Sequence, residues 1–262
     1  MIKRFIKDKT IVVWFSCGAA SAVALKKTIE VYGKNNKIVA VNNPIKNEHP
    51  DNQRFLKDCE DAFNIKIEFC KSKKYPSQDC NDVWKKRRFM SGPTGAPCTQ
   101  ELKRFARREW EMNNPFDYLV LGFTCEEKRR SDSFKKFERA NMLSILIDLK
   151  ITKEDCYRIV HSWGVDLPEM YKLGYPNANC IGCVKATSPT YWNHVRKQHP
   201  EVFKERSDLS DELGAKLVIL KGIRTPLSKL PQDAEGRPLK SMKFECGLFC
   251  EEFKEGDDDD EC

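Results

Sequence analysis

One segment near the N-terminus constrains the fold more than any other, because a run of apolar residues is followed at once by small ones. The apolar run at residues 11–15 predicts a buried strand. The small residues at 16–20 predict a tight turn, and from residue 21 onward apolar residues recur at helical spacing. The segment therefore predicts a strand, a turn and a helix whose N-terminus lies at the turn.

The turn has the properties of a phosphate site. Free amide groups at a helix N-terminus attract anions, and small side chains let a phosphate approach the backbone. The Lys-Ser or Lys-Thr pair of a P-loop is absent. The predicted cofactor-binding residues of the turn are Ser16, Cys17, Gly18, Ala19, Ala20 and Ser21. On this segment alone, an ordinary strand-to-helix turn is the alternative.

Further apolar segments extend this unit into an α/β fold. Strands are predicted at residues 37–41, 65–69, 118–123 and 144–149, with helical patterns between them. This alternation predicts a doubly wound, mostly parallel five-stranded sheet. Asn42 follows the second strand at the sheet edge where ligands bind, so it is expected to face a nucleotide base or ribose. Asp51 and Thr152 are predicted helix caps.

The pattern changes after residue 167. We predict a nucleotide-binding domain at residues 1–167 and a cysteine-rich lobe at 168–262. The lobe is expected to consist mainly of helices and loops and to end in an acidic tail. Gly, Pro and basic residues at 222–243 predict a mobile arm within it.

Charge favours a polyanionic partner. The 262-residue chain carries a net charge of +7 despite five consecutive acidic residues near its end. Basic runs at 85–88, 103–108 and 128–139 suit nucleic acid or a phosphorylated nucleotide, although each run is also compatible with a solvated surface. The charged N-terminus argues against a signal peptide, and no apolar run is long enough for a membrane span. We therefore expect a cytoplasmic protein without a membrane partner.

Twelve cysteines are many for that compartment, where disulfides rarely persist. Cys180 and Cys183 have the spacing of a zinc or iron–sulfur pair, and Cys98 precedes a helix whose dipole would stabilise a thiolate. Cys246 and Cys250 form a second close pair. Four others without close partners are expected to be core or surface residues: Cys59, Cys70, Cys80 and Cys156.

Several motifs, in order, resemble those of the phosphoadenosine-phosphosulfate reductase family of the adenine-nucleotide alpha-hydrolase superfamily. The turn S-C-G-A-A-S resembles the pyrophosphate loop S-G-G-x-D-S, with Cys17 and Ala20 replacing a Gly and the Asp. Residues 96–103 resemble the family's Cys-then-Lys segment. The tail segment E-C-G-L-F at 245–249 resembles E-C-G-L-H, with Phe249 replacing the His.

The strand-end motif G-x-R-x-x-E-x-x-R is also similar. Gly122, Glu127 and Arg130 match it, whereas Thr124 replaces its first Arg. Lys103, Arg129 and Arg130 can neutralise phosphate or sulfate, and Glu127 can orient one of these cations. The predicted catalytic residues are Lys103, Arg130 and Cys246, with Gly122, Glu127 and Arg129 added to the cofactor-binding set.

The resemblance also implies a metal site. Cys98, Cys180 and Cys183 match three ligands of a [4Fe–4S] cluster. Zinc in place of the cluster and a reduced set of cysteines without metal are the two alternatives. The adjacent cysteine pair of the family is only Pro97-Cys98 here, so a fourth ligand is missing from the motif. Cys250 is the first candidate for that position and Cys246 the next.

The function implied is that of an ATP pyrophosphatase that adenylates an acceptor for sulfur transfer, as in DNA phosphorothioate modification. Such an enzyme uses ATP and Mg²⁺, and its implied partners are an adenine nucleotide, DNA, a cysteine desulfurase and other modification-system proteins. One alternative is a sulfonucleotide reductase with Cys246 as nucleophile. The other is a non-catalytic nucleotide-binding subunit, suggested by Ala20 in the loop.

Overall fold

A five-stranded, all-parallel sheet forms the centre of the N-terminal part of the chain. The computed structural model describes residues 6–93 and 95–241. The strands lie in the order β3-β2-β1-β4-β5, so the predicted doubly wound sheet is confirmed. Their bounds are β1 Thr10–Phe15, β2 Lys37–Asn42, β3 Ile67–Phe69, β4 Tyr118–Val120 and β5 Met142–Leu143.

Helices cover both faces of this sheet, as alternating side chains of β1 show. Ile11, Val13 and Phe15 belong to one buried core, while Val12 and Trp14 belong to another. The helices are α1 Ala19–Tyr32, α2 Asp51–Phe63, α3 Cys80–Arg87, α4 Phe105–Asn113, α5 Lys128–Phe137, α6 Ile145–Asp148 and α7 Lys153–Ser162. Residues of α1, α2, α6 and α7 pack on the first face, and residues of α4 and α5 on the second. Strands buried on both faces explain the continuous apolar run in β1.

The remaining elements form a second, smaller assembly. They are α8 Glu169–Lys172, α9 Pro189–Gln198, α10 Pro200–Glu212 and the antiparallel strands β6 Val218–Leu220 and β7 Ile223–Thr225. Its core contains Tyr191 and Trp192 but also Trp84 and Leu102 from the first half of the chain. Helix α3 therefore packs with the C-terminal elements. The domain boundary at residue 167 stays a prediction.

Three local predictions are wrong. Strand β5 is only two residues long, and the apolar run after it forms α6, because a short buried run does not distinguish strand from helix. Asp51 is the first residue of α2, not its cap, and its carboxylate instead accepts hydrogen bonds from Arg54 and from the Glu169 N–H. The predicted arm contains β7, and Asn193 of α9 donates to the carbonyl of Pro231 at 3.0 Å.

The strand order places a crevice between β1 and β4. The chain proceeds from β1 through β2 to β3 on one side and then crosses to β4 on the other. In open parallel sheets, ligands bind at the carboxyl ends of the strands where the order reverses. The loop after β1 and the segment after β4 meet at this position.

Gly122 allows these two segments to touch. A Cβ atom at this position would lie 2.9 Å from the backbone N of Ser21 and 3.0 Å from the carbonyl carbon of Ala20. Both atoms belong to the backbone at the start of α1, so neither can rotate away. Any side chain at residue 122 would therefore separate β4 from the loop.

Within ranges 6–93 and 95–241, no helix combines the length and the apolar character needed to cross a bilayer.

We predict that Gly122→Ala lowers the free energy of unfolding by about 1–3 kcal/mol, because the added methyl overpacks a backbone contact. Urea denaturation measures the change. Gly164→Ala is the control, since Gly164 has a φ of +71° but nothing within 4 Å of a Cβ, so only backbone strain of about 1 kcal/mol applies. A smaller loss for Gly122→Ala than for the control would contradict the crowding.

Candidate nucleotide site and cysteine pocket

The loop after β1 has the backbone of a small-residue turn even where the residue is not glycine. Cys17 has a φ of +57°, a left-handed conformation that favours glycine. Its side chain is buried, and burial raises the pKa of the thiol well above its usual value. The hydroxyl of Ser21 donates to the Gly18 carbonyl at 2.8 Å and accepts from the Ser16 N–H at 3.1 Å. The Ser21 side chain thus braces the loop.

The hydroxyl of Tyr171 lies at the N-terminus of α1. It accepts a hydrogen bond from the Ala19 N–H at 3.3 Å and would lie 3.2 Å from a Cβ at Gly18. Burial raises the pKa of Tyr171, so the hydroxyl is neutral at physiological pH. Its oxygen occupies the position that an anion bound to this amide would take.

Asn42 contacts the same loop from the end of β2. Its Nδ2 donates to the Phe15 carbonyl at 2.9 Å and to the Cys17 sulfur at 3.5 Å. Its Oδ1 is buried without a hydrogen-bond partner among the described residues. A buried acceptor without a partner is costly, so this oxygen is suited to a donor on a ligand or water.

Hydrogen bonds of Glu127 connect residues within the strand-end motif, which follows β4. Glu127 accepts from the Thr124 N–H at 3.2 Å and from Arg130 Nη1 at 2.9 Å. The guanidinium of Arg130 also lies 5.0 Å from the centre of the Phe123 ring. Glu127 therefore orients Arg130 just beyond the contact between Gly122 and the loop.

Arg129 lies elsewhere on α5. Its side chain is exposed and belongs, with Lys128, Lys136 and Phe137, to one face of α5 that has a shallow, open depression between its side chains. We refer to this as the α5 groove. Asp132 also lines it and forms an ion pair with Lys128, so the groove is basic without being uniformly charged.

Lys103 interacts electrostatically with the loop after β1 and also lines a neighbouring pocket. Its ammonium lies 3.5 Å from the Glu48 carboxylate, and both charges affect the pKa of Cys17 in the loop. Burial raises the pKa of Glu48, and Lys103 opposes that rise. Lys103 itself is buried and also lines a pocket beyond the loop.

Four cysteines line that pocket, which we call the cysteine pocket. They are Cys80, Cys98, Cys180 and Cys183, each at most 8% exposed. The cavity between them has a volume of about 20 Å³, which is the space of roughly one water molecule. Three separate segments of the chain supply these residues. The structure brings together three of the four cysteines that the sequence assigns to the metal site, and the fourth, Cys250, lies outside the described residues.

The cysteines influence one another strongly. Hydrogen bonds with the Cys180 and Cys98 sulfurs raise the pKa of Cys80 well above its usual value. The same contact with Cys80 lowers the pKa of Cys98 to about 7 against the effect of burial, aided by Lys185. The nearby indole of Trp84 also lowers the pKa of Cys98. The indole N–H is not aligned well enough with any acceptor among the described residues to form a hydrogen bond. The thiolate form is therefore favoured at Cys98 relative to Cys80.

The donor set of the pocket suits a soft metal. Cysteine sulfur is the ligand of zinc and iron–sulfur sites, and among the described residues no carboxylate or imidazole lines the pocket. Among the described residues, no three His, Cys, Asp or Glu side chains are arranged so that they could hold a single metal ion as they stand. In a [4Fe–4S] cluster each cysteine binds a different iron atom. The four sulfurs therefore surround a common pocket and do not converge on a single metal ion.

Sequence reasoning missed several residues of this region. Cys80 has no nearby cysteine in the sequence, and Glu48, Tyr171 and Lys185 belong to no motif. A weak signal existed for Cys80, because Asp79 caps α3 directly before it and so fixes its backbone. The predicted residues Cys246 and Cys250 lie outside the described residues.

Comparisons with known proteins add no identification. No protein-family model matches the chain, and a search of curated proteins finds no significant match.

We predict that Lys103→Met destabilises the protein by about 3 kcal/mol near pH 8, because Glu48 is left buried without its cation. Loss of Lys103 raises the pKa of Glu48 further, so the folded protein binds this proton more tightly than the unfolded chain. The penalty is therefore small below the ordinary pKa of 4.5 and grows as pH rises through the folded value. Urea denaturation at several pH values measures it.

Two further variants check the cause. Adding Glu48→Gln should restore most of the stability of Lys103→Met, because the buried charge is gone. Lys204→Met is the matched control, since Lys204 and its partner Asp208 are both exposed on α10, where a surface pair contributes at most about 1 kcal/mol. A pH-independent loss in Lys103→Met would contradict the role of Glu48.

Proposed function

We propose that this protein is an ATP pyrophosphatase that activates an acceptor by adenylation for sulfur transfer. The observation that carries the proposal is the position of Lys103. This residue lines the cysteine pocket, and its charge also lowers the pKa of Cys17 in the loop. One cation thus serves both a phosphate site and a group of thiols. The resemblance to phosphoadenosine-phosphosulfate reductases is part of the same proposal.

The phosphate side of the site uses the loop amides. A nucleotide phosphate would accept from the N–H groups at the start of α1, with the helix dipole behind them. Tyr171 must leave the Ala19 N–H, or share it, when the phosphate binds. Asn42 Oδ1 is available to the base or ribose beside the loop.

The proposed reaction is a displacement at the α-phosphorus of ATP. An acceptor oxygen forms a bond to this phosphorus, the bond to the bridging oxygen of the β-phosphate breaks, and pyrophosphate leaves with the bonding electrons. A sulfur nucleophile then displaces AMP from the adenylated acceptor. Lys103 and Arg130 would stabilise the charge that develops on the pyrophosphate.

Mg²⁺ would accompany the triphosphate and neutralise its charge. It keeps several water ligands and needs only one or two carboxylates. Glu48 lies near the loop and Glu127 lies in the strand-end motif. Each is already engaged with a cation, Lys103 or Arg130, so each can exchange that partner for the metal.

The cysteine pocket would hold a [4Fe–4S] cluster or, alternatively, zinc. Cys98, Cys180 and Cys183 supply sulfur ligands of the type that both require. When bound, a cluster supplies redox chemistry and zinc supplies structural rigidity. Lys103 and Lys185 would balance the negative charge of the thiolates.

DNA is the acceptor that the charge distribution favours. The α5 groove overlaps the end of the strand-end motif at Lys128 and Arg129, so a strand bound there would pass beside Arg130. Its lysines and arginine suit phosphates, and the exposed ring of Phe137 suits a base. A cysteine desulfurase is the proposed source of the sulfur.

A non-catalytic nucleotide-binding role is the second candidate. The hydroxyl of Tyr171 already occupies an amide of the loop, and Ala20 replaces the acidic residue of the resembled motif. A protein of this kind would bind ATP without releasing pyrophosphate. A sulfonucleotide reductase would instead depend on Cys246, which lies outside the described residues.

We predict slow, Mg²⁺-dependent release of pyrophosphate from ATP by the full chain, and a loss of about 100-fold in Lys103→Met. A coupled pyrophosphate assay measures the rate, and circular dichroism verifies that the variant is folded. Lys57→Met is the control, because Lys57 is exposed and pairs with Asp61 on α2. Its rate should equal that of the wild-type protein.

Two outcomes would reject this function. ATP binding without pyrophosphate release, with or without DNA, would favour the nucleotide-binding subunit. Thioredoxin-dependent sulfite release from a phosphosulfate nucleotide, lost in Cys246→Ser, would favour the reductase.

We predict that replacing Arg129 and Lys136 together with Glu weakens binding of single-stranded DNA and flattens its salt dependence by about two phosphate contacts. Fluorescence anisotropy at several salt concentrations measures both. The control replaces Lys66 and Lys204, exposed lysines outside the groove, with Glu. Equal losses in the two proteins would show that only net charge matters.

A further inference from the structure

We propose that Cys80 is the fourth sulfur ligand of the cysteine pocket, in place of Cys250 or Cys246. The proposal rests on the cofactor of the proposed function, but metal content is measured without ATP turnover. It concerns a residue that the motifs do not include and that only the folded chain brings to the site.

The first argument is the convergence of buried sulfurs. Cys80 lines the same pocket as Cys98 and Cys180, so it lies between the two cysteine-bearing segments recognised by sequence. It lines the pocket alongside Cys183.

The second argument is a clamp formed by Asn47. Its Oδ1 accepts from the Cys80 N–H at 2.7 Å, and its backbone carbonyl accepts from the Ile181 N–H at 2.9 Å. Its Nδ2 donates to Asp79 at 3.2 Å. One residue therefore fixes the backbone on both sides of the pocket, as residues behind a metal site commonly do.

A second clamp comes from Arg206, which is fully buried. Its Nη1 donates to Asn81 Oδ1 at 2.8 Å and its Nε to the Gly182 carbonyl at 3.4 Å. Gly182 has a φ of +64°, and a Cβ there would lie 3.0 Å from Val202. The residue after Cys80 and the turn between Cys180 and Cys183 are thus held by one guanidinium.

The other described cysteines of the strand-and-helix core are not alternatives. Cys17, Cys59 and Cys156 belong to the core on the first face of the sheet, and Cys70 belongs to the core on the second. Each is buried among apolar side chains away from the pocket. Cys80 belongs instead to the core that contains Cys98, Cys180 and Cys183.

The test compares metal binding by Cys80→Ala, Cys250→Ala and Cys246→Ala in the full chain purified without oxygen. Cys70→Ala is the matched control, as another buried thiol outside the pocket. Iron, sulfide and zinc are quantified, and Co²⁺ is added to protein freed of metal. The thiolate-to-cobalt absorption rises with the number of sulfur ligands, and thermal melting shows which variants are folded.

We expect the wild-type protein and Cys70→Ala to hold metal and to give equal cobalt absorption. Cys80→Ala should lose most of its cluster or zinc, with weaker cobalt absorption, while Cys250→Ala and Cys246→Ala should retain both. If Cys80→Ala does not fold, Cys80→Ser replaces it.

Asn47→Ala gives an independent measurement. It keeps all four cysteines but removes the acceptor for the Cys80 N–H, so it should lower metal affinity about 10- to 100-fold in chelator competition. Retention of metal by Cys80→Ala with loss in Cys250→Ala or Cys246→Ala would overturn the proposal. So would wild-type protein that binds neither iron, zinc nor cobalt, whereas failure to release pyrophosphate would affect only the proposed function.

Discussion

The close contact between Gly122 and the start of α1 is the constraint on which the site depends. Because no Cβ fits at residue 122, the end of β4 lies directly against Ser21. This contact places the loop after β1 beside the motif that contains Glu127 and Arg130. A helix N-terminus and an oriented guanidinium therefore flank one crevice, at the position where the strand order reverses.

Lys103 connects this crevice with the core that contains the C-terminal helices and the pocket cysteines. It is buried between the Glu48 carboxylate and the cysteine pocket, so its charge acts on groups of both. A buried cation of this kind requires nearby negative charge, which Glu48 supplies in the described structure and phosphate or thiolate would supply in function. The proposed coupling of ATP cleavage to sulfur transfer follows from that shared position.

The strands and most helices could be predicted because their signals are local. The apolar run of β1, the capping residue Thr152 and the alternation of strands and helices are each readable within a short window. The prediction failed where an apolar run was short, as in α6, and where Asp51 forms tertiary contacts instead of a cap. The loop, Asn42 and the strand-end motif were likewise recognised, because their residues are close in sequence.

By itself, the sequence determined the parallel sheet, the loop at the helix N-terminus and three cysteines of the pocket, since periodicity and short spacings specify all of these. Only the tertiary structure decided that Cys80 joins Cys98, that Glu48 pairs with Lys103, and that the Tyr171 hydroxyl reaches Ala19. These partners are separated by tens of residues or more along the chain. No local pattern specifies such contacts, because they depend on how helices pack after the sheet has formed.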